Sequence, residues 1–201
     1  MTVDYKGRPI INPLNTHHVI IDLETFDTSS RAAIFAVGVV ILEPELEVKF
    51  KGEYILTDPF RTPTGDHRLD SFKVSESTVD WWLSEEQGLA KQYLENRGTY
   101  DSIRDMLSDV SYVIKQCPKD DFLVYGNPSD FDISILTNAY TKTRTPLPWE
   151  HHQSACLRTL KRLAYPDDLH LGKFEGIKHT PLADAYHEAK ELIHVLTYLG
   201  G

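Results

Sequence analysis

Residues 17–25 read HHVIIDLET, a short β-branched and apolar run that ends in two acidic side chains. A run of this length and composition predicts a buried strand. Because strand side chains alternate between the faces of a sheet, Asp22 and Glu24 point the same way. Their charges repel, and burial would raise both pKa values unless a shared divalent cation neutralises them. The pair is a candidate metal site, although two solvated acids at a strand end would give the same pattern.

The sequence after this strand predicts two more strands and then a helical region. Residues 32–42 and 48–56 are strand candidates separated by a turn at Pro44. Residues 57–74 are rich in Pro, Gly, Asp and Thr and are expected to form a long loop. Helical periodicity or capping patterns are found near residues 77–83, 100–114, 130–140, 156–163 and 181–199, and a fourth strand is expected over 122–127. This order predicts an α/β domain with a mixed sheet covered by helices.

Length and composition favour one ordinary globular domain. The chain has 201 residues, of which 41% are hydrophobic and 25% charged. We assign residues 1–16 to a leader segment and 17–201 to a single domain. There is no apolar run of membrane-spanning length and no signal-peptide pattern, so a cytoplasmic protein with no membrane partner is expected. The two cysteines, Cys117 and Cys156, are expected to be reduced thiols.

The net charge of −9 opposes a nucleic-acid partner, since phosphate binding depends on lysine and arginine. The charge is unevenly distributed, however. Residues 142–178 hold seven basic side chains against four acidic ones. This asymmetry is compatible with a basic rim beside an acidic, metal-binding site, and equally with a plain solvated face.

A second candidate feature is the segment YGNPSDFDISIL, residues 125–136, which predicts a strand, a tight loop and a helix. Its acids follow the carboxyl end of the strand, where ligand sites lie in open α/β sheets. Asp132 can therefore reach a metal held by the first strand if the two strands are neighbours. Alternatively, Asp130 caps the helix, or Ser129 and Asp132 form a capping-box-like pair.

A third feature is HTPLAD, residues 179–184, at the start of the last helix. Thr180 is expected as the N-cap and Pro181 as the first helical residue, which places Asp184 in the first turn. An acid there is favoured by the helix dipole and needs no function. His179 lies just outside the helix, where it is available as a base.

Together the three features resemble the DEDDh class of 3′-5′ exonucleases, which have a ribonuclease H-like fold. The matching set is Asp22-x-Glu24, then Phe131-Asp132, then His179-x4-Asp184, and the flanking IDLET, YGNPSDFDISIL and HTPLADAYHEA are also similar to that class. TVDWWLSEEQ, residues 78–87, resembles the T-x-x-W-W-x-x-x-x-Q region of the phage exodeoxyribonuclease A and exonuclease VIII-like branch. The resemblance extends over about residues 17–199. It implies a mixed five-stranded sheet flanked by helices.

The resemblance further implies a metal-dependent 3′-5′ exonuclease that uses two Mg²⁺ or Mn²⁺ ions. Asp22, Glu24 and Asp184 would bind the first ion, and Asp22 would bridge to a second ion that Asp132 supports. His179 would be the general base. Single-stranded nucleic acid with a free 3′ end is the expected partner, and DNA is preferred because of the branch that the sequence resembles.

The substrate-binding residues implied by the same resemblance are Leu23, Thr25, Trp81 and Trp82. Adjacent helical residues cannot face one direction, so we expect one tryptophan in the core and the other partly exposed. An exposed tryptophan can stack on a terminal base whatever its identity. Core packing of both rings is the structural alternative.

Two other functions stay open on sequence grounds. One is a 3′-5′ exoribonuclease of the same fold, which a contact to the ribose 2′-hydroxyl would distinguish. The other is a non-catalytic nucleic-acid-binding module, against which the presence of all five site residues argues. Substrate length, oligomeric state (a dimer included) and a contribution of Asp130 in place of Asp132 are also left open.

Overall fold

A five-stranded sheet organises the chain in the computed structural model, which describes residues 11–61, 67–165 and 174–200. The strands are β1 (His17–Thr25), β2 (Ile34–Leu42), β3 (Val48–Ile55), β4 (Phe122–Gly126) and β5 (Ser154–Cys156). The α-helices are α1 (Glu76–Leu83), α2 (Gly88–Arg97), α3 (Ile103–Ile114), α4 (Asp132–Thr143), α5 (Leu157–Ala164) and α6 (Pro181–Gly200). Among the described residues, no helix has the length and apolar character needed to cross a bilayer.

The strand order across the sheet is β3-β2-β1-β4-β5. β1, β2 and β3 form an antiparallel meander, whereas β4 and β5 run parallel to β1. β1 therefore lies at the centre of a mixed sheet, beside β4. The predicted mixed five-stranded sheet flanked by helices is confirmed.

Side-chain alternation along β1 separates two apolar clusters on opposite faces of the sheet. Val19, Ile21 and Leu23 belong to a cluster that includes buried side chains of α3 and α4. Ile20 belongs to the other cluster, with Ala185 and further residues of α6. Because Asp22 and Glu24 have the same parity as Ile20, both acids lie on the face of the sheet that α6 covers.

The first turn of α6 packs directly on the sheet at Gly38. Gly38 is paired with Asp22 in the β1–β2 register. A Cβ atom built at Gly38 would lie 2.0 Å from the carbonyl oxygen of Pro181, the first residue of α6. Only a residue without a side chain permits this approach. The close contact brings the start of α6, and with it Asp184, next to the acids of β1.

Replacing Gly38 with alanine is expected to destabilise the protein, since the new methyl group must displace the backbone of α6. Overpacking a close contact typically costs about 1–3 kcal/mol, and backbone contacts are at the severe end. Gly88→Ala is the matched control, because a Cβ there meets no atom within 4 Å. Urea denaturation should show a loss of stability for Gly38→Ala alone. Equal stability of the two variants would contradict the close packing of α6 on β2.

The structure departs from the sequence-based expectations in several places. α2 and β5 were not anticipated from the sequence pattern, and α1 begins at Glu76, one residue before the predicted helical region of 77–83. The interpretation of Asp130 as a helix cap is wrong, because the N-cap position of α4 is Phe131, which makes no side-chain capping hydrogen bond.

The division into a leader and a single domain stays a prediction, since residues 1–10 of the leader lie outside the described residues. Residues 62–66 of the predicted loop lie outside them as well. So do Asp167, Asp168 and Lys173 of the charge-asymmetric segment.

Candidate active site

Three carboxylates meet at the carboxyl end of β1. Asp22, Glu24 and Asp184 each offer an oxygen, and the three oxygens lie within 4.8 Å of one another. Glu24 is buried, whereas Asp22 and Asp184 are half-buried. The Asp184 carboxylate is held in place because its Oδ2 accepts a hydrogen bond of 3.0 Å from the backbone N–H of Thr180. Oxygen atoms grouped in this way are the ligands that hard divalent cations prefer.

Asp132 joins this group from the neighbouring parallel strand. β4 pairs with β1 through Tyr125 and Ile20, so both strands end at the same edge of the sheet. Asp132 is the first residue of α4 and is buried. Its Oδ2 accepts a hydrogen bond of 3.0 Å from the backbone N–H of Asn127, which fixes the side chain toward β1.

Burial and mutual repulsion raise the pKa values of these acids. The pKa of Asp22 is well above its ordinary value, first because of burial and then because of the charges on Glu24, Glu188, Asp132 and Asp184. Burial and the charge on Asp184 likewise raise the pKa of Glu24. Burial raises the pKa of Asp132 to about 7, although backbone N–H groups stabilise its charged form. Neutralisation of this site requires protons or cations.

Glu188 is a further acid at the site that the sequence analysis did not identify. It lies on α6 four residues after Asp184, a spacing that places two side chains on one helix face. Glu188 is buried, and burial with the charge on Asp132 raises its pKa well above its ordinary value. The four-residue spacing was the available signal, but an acid on an amphipathic helix is usually solvated.

Two clefts open on either side of the carboxylates. The first has a volume of about 420 Å³ and is lined by the Asp22, Glu24 and Asp184 group together with Trp81 and His179. The second cleft has a volume of about 520 Å³ and is lined by Asp132 together with Asn127, Asp130 and Arg158. Asp22 and Phe131 line both clefts. The arrangement can accommodate a chain-like ligand that passes over the carboxylates.

His179 lies at the mouth of the first cleft, directly before α6. Its side chain is exposed, and its backbone has a left-handed conformation with φ of 62°. The imidazole ring packs edge-on against Trp81, with the ring centroids 5.0 Å apart. A charge on His179 favours the ionised form of Asp184. The histidine therefore lies beside the acids and open to solvent.

The two tryptophans have different environments, as the helical spacing predicts. Trp82 is buried, and its indole N–H donates a hydrogen bond of 3.0 Å to the carbonyl oxygen of Thr25. Trp81 keeps 40% of its surface exposed. Leu23 and Thr25 are buried yet contribute to the wall of the same cleft. All four residues expected from the sequence to bind substrate therefore border the first cleft.

The fold is similar to that of solved exonucleases. The chain matches a structure of exonuclease I with a TM-score of 0.59 and 15% identity over 92% of this chain and 43% of that one. An Escherichia coli exonuclease I complex with a dA16 oligonucleotide matches with a TM-score of 0.58 and 15% identity, over 92% of this chain and 43% of that one. The chain thus spans less than half the length of exonuclease I.

A third similar structure is the nuclease domain of 3′hExo, described as a DEDDh family member bound to rAMP. It matches with a TM-score of 0.61 and 15% identity, over 91% of this chain and 92% of that domain. No curated protein matches the chain with significant sequence similarity.

At about 15% identity, these matches show a shared fold. The model of the 3′-5′ exoribonuclease Rv2179c-like domain family matches residues 17–196, and the chain belongs to that family. The relation of TVDWWLSEEQ to the exodeoxyribonuclease A branch stays a prediction.

Proposed function

We propose that this domain removes nucleotides one at a time from the 3′ end of single-stranded nucleic acid, with two divalent cations, Mg²⁺ or Mn²⁺, as cofactors. The observation that carries the proposal is the group of carboxylates from β1, α4 and α6 between two clefts. One cleft would hold the terminal nucleotide and the other the preceding part of the strand. A non-catalytic binding module would have no need to bury this many acids together.

The acids present fit a pair of divalent cations. Asp22, Glu24 and Asp184 would hold one ion, because their oxygens already lie within 4.8 Å of one another. Asp22 and Asp132 would hold the other, since both line the second cleft and the charge on Asp132 adds to the repulsion at Asp22. Two such ions would lower the pKa of a bound water and stabilise the negative charge on the departing 3′ oxygen.

His179 would act as the general base. Its ring is exposed in the cleft that the Asp22 group lines, so it can reach a water molecule at the scissile phosphate. A neutral imidazole accepts that proton near neutral pH. The contact of the ring with Trp81 would hold the base beside the nucleotide that stacks there.

The walls of the first cleft would bind the terminal nucleotide without reading its sequence. The exposed ring of Trp81 can stack on any base, which contributes about 1–3 kcal/mol per base. Trp82 would position the wall indirectly, because its hydrogen bond fixes the carbonyl group of Thr25. Leu23 would complete the apolar side of the pocket.

RNA is the first candidate substrate, because the family to which the chain belongs is described as a 3′-5′ exoribonuclease domain. DNA is the second candidate and is favoured by the TVDWWLSEEQ segment, which resembles a deoxyribonuclease branch. The fold occurs with both kinds of ligand, dA16 in exonuclease I and rAMP in the 3′hExo nuclease domain.

Matched RNA and DNA oligomers of one sequence, each labelled at the 5′ end, distinguish the two candidates. With Mg²⁺ present, we expect the RNA to shorten faster under single-turnover conditions. A faster rate on DNA would replace RNA by DNA as the substrate. No shortening of either oligomer, with either Mg²⁺ or Mn²⁺, would contradict the proposed activity.

Stability without metal should fall as the pH rises. Raised pKa values mean that the native state binds more protons than the unfolded chain from about pH 4 upward. The effect includes the range through about pH 7, where the Asp132 carboxyl loses its proton. We therefore expect the melting temperature in chelator to decrease from about pH 5 to about pH 8, and saturating Mg²⁺ to reverse much of the decrease. A melting temperature insensitive to both pH and Mg²⁺ would contradict this charge balance.

A further inference from the structure

Glu188 lies deeper in the fold than a solvated helix residue would. Only 9% of its surface is exposed, and it lies on the face of α6 that carries Asp184. A buried carboxylate needs hydrogen bonds or a counter-charge to offset the cost of leaving water. The side chain of Asn127, in the loop after β4, provides one hydrogen bond to Glu188.

Two oxygen atoms at this contact have no partner. Glu188 Oε2 and Asn127 Oδ1 are both buried, and neither accepts a hydrogen bond from any described residue. Leaving such an acceptor unsatisfied costs about 1–3 kcal/mol, and more when it is charged. Because the two side chains are joined by a hydrogen bond, the unsatisfied oxygens belong to one small region beside Asp132. Unpaired oxygens of this kind are suited to a hydrated cation or to its water ligands.

Two basic side chains of α5, the helix that packs against α6, have other partners. Lys161 on α5 is paired with Glu191, with 2.6 Å between nitrogen and oxygen. Arg158 donates a hydrogen bond of 2.9 Å to the backbone carbonyl of Asn127. The charges that face Glu188 are instead those of Asp132, Glu191 and Asp184, which add to the repulsion.

We propose that Glu188 is a positioning residue of the metal centre, where its Oε2 and the Asn127 Oδ1 atom accept hydrogen bonds from water bound to the cation beside Asp132. The inference rests on the proposed function for the presence of that cation. Mg²⁺ keeps several of its waters when it binds protein, so acceptors next to the ligands have a clear role. Such supporting residues typically change metal affinity about 10- to 100-fold when they are replaced.

Glu188→Gln tests the inference by calorimetric titration of the protein with Mn²⁺ in the absence of nucleic acid. Glutamine has the same shape and still accepts a hydrogen bond from Asn127, but it removes the charge. We expect the Mn²⁺ site beside Asp132 to lose affinity about 10-fold or more, while the metal-free protein melts no lower than wild type. A Mn²⁺ affinity within about twofold of wild type would overturn the inference.

Glu191→Gln is the matched control, because Glu191 is a buried acid on the same helix that is paired with Lys161. It should change the Mn²⁺ affinity far less than Glu188→Gln does, even if loss of the ion pair lowers the melting temperature. If Glu188→Gln does not fold, Glu188→Asp is titrated instead. That variant keeps the negative charge but has a side chain shorter by one methylene group, so its carboxylate lies farther from the cation. An unchanged Mn²⁺ affinity would again overturn the inference.

A parallel titration of Asp22→Asn separates this inference from the proposed function. If Asp22→Asn loses Mn²⁺ binding and Glu188→Gln does not, only the role of Glu188 is wrong. If neither variant changes Mn²⁺ binding, the metal centre itself is wrong.

Discussion

Replacing Asp132 with asparagine is expected to lower the single-turnover rate on a saturating oligomer by about 10³-fold. A bound cation stabilises the charge that develops in the transition state of phosphoryl transfer by several kcal/mol. Each loss of about 1.4 kcal/mol of that stabilisation reduces the rate tenfold. The fold should be retained, because the amide oxygen of asparagine can still accept the hydrogen bond from Asn127. Removal of a buried charge whose pKa is raised should also leave the metal-free protein as stable as wild type, or more so.

Asp130→Asn is the matched control for this substitution. Asp130 lies two residues earlier, is exposed, and does not cap α4. The variant should keep a rate within a few-fold of wild type and an unchanged melting temperature. The opposite result, with Asp130→Asn inactive and Asp132→Asn active, would assign the metal site to Asp130.

Replacing His179 with alanine is expected to reduce the chemical step about 10²- to 10⁴-fold, which is the usual contribution of a positioned base. With metal saturating, the wild-type single-turnover rate should fall at acidic pH, because a general base acts only in its unprotonated form. The alanine variant should lose this pH dependence. Its binding of single-stranded oligomers should change little, since the carboxylates at the site are untouched.

A purely structural role for His179 predicts a different pattern. The residue has a left-handed backbone, which alanine tolerates less well than histidine or asparagine. His179→Asn therefore removes the base but retains a residue suited to this φ. Melting temperature and rate measured on both variants separate the effects. A low melting temperature with a normal rate per folded molecule would contradict the role as base.

The acids of β1 were predictable because a strand and the alternation of its side chains are enough to place both acids on one face. The same holds for Asp184, since Thr180 and Pro181 define a helix start by local capping rules. Asp132 reaches this edge because β4 lies parallel and next to β1. The sequence allowed this arrangement but did not show that the two strands are neighbours. The strand order depends on contacts distant in the sequence.

Other features have no local signal that could have revealed them. β5 has three residues, which are too few for a period of two to be recognised. α2 buries only Ala90 and Leu94, so its apolar face is weak. The need for glycine at position 38 arises from the backbone of Pro181, which lies far away in the sequence.

The most direct test of the central claim is the direction and metal dependence of hydrolysis. One oligomer is labelled at the 5′ end, and a second copy carries a phosphate at its 3′ end as a block. With Mg²⁺, we predict a ladder of 5′-labelled products that shorten progressively from the 3′ end of the unblocked copy. The blocked copy should be strongly protected, and excess chelator or Asp22→Asn should abolish the ladder. Short labelled fragments appearing at the outset from both copies, or full activity in chelator, would contradict a metal-dependent 3′-5′ exonuclease.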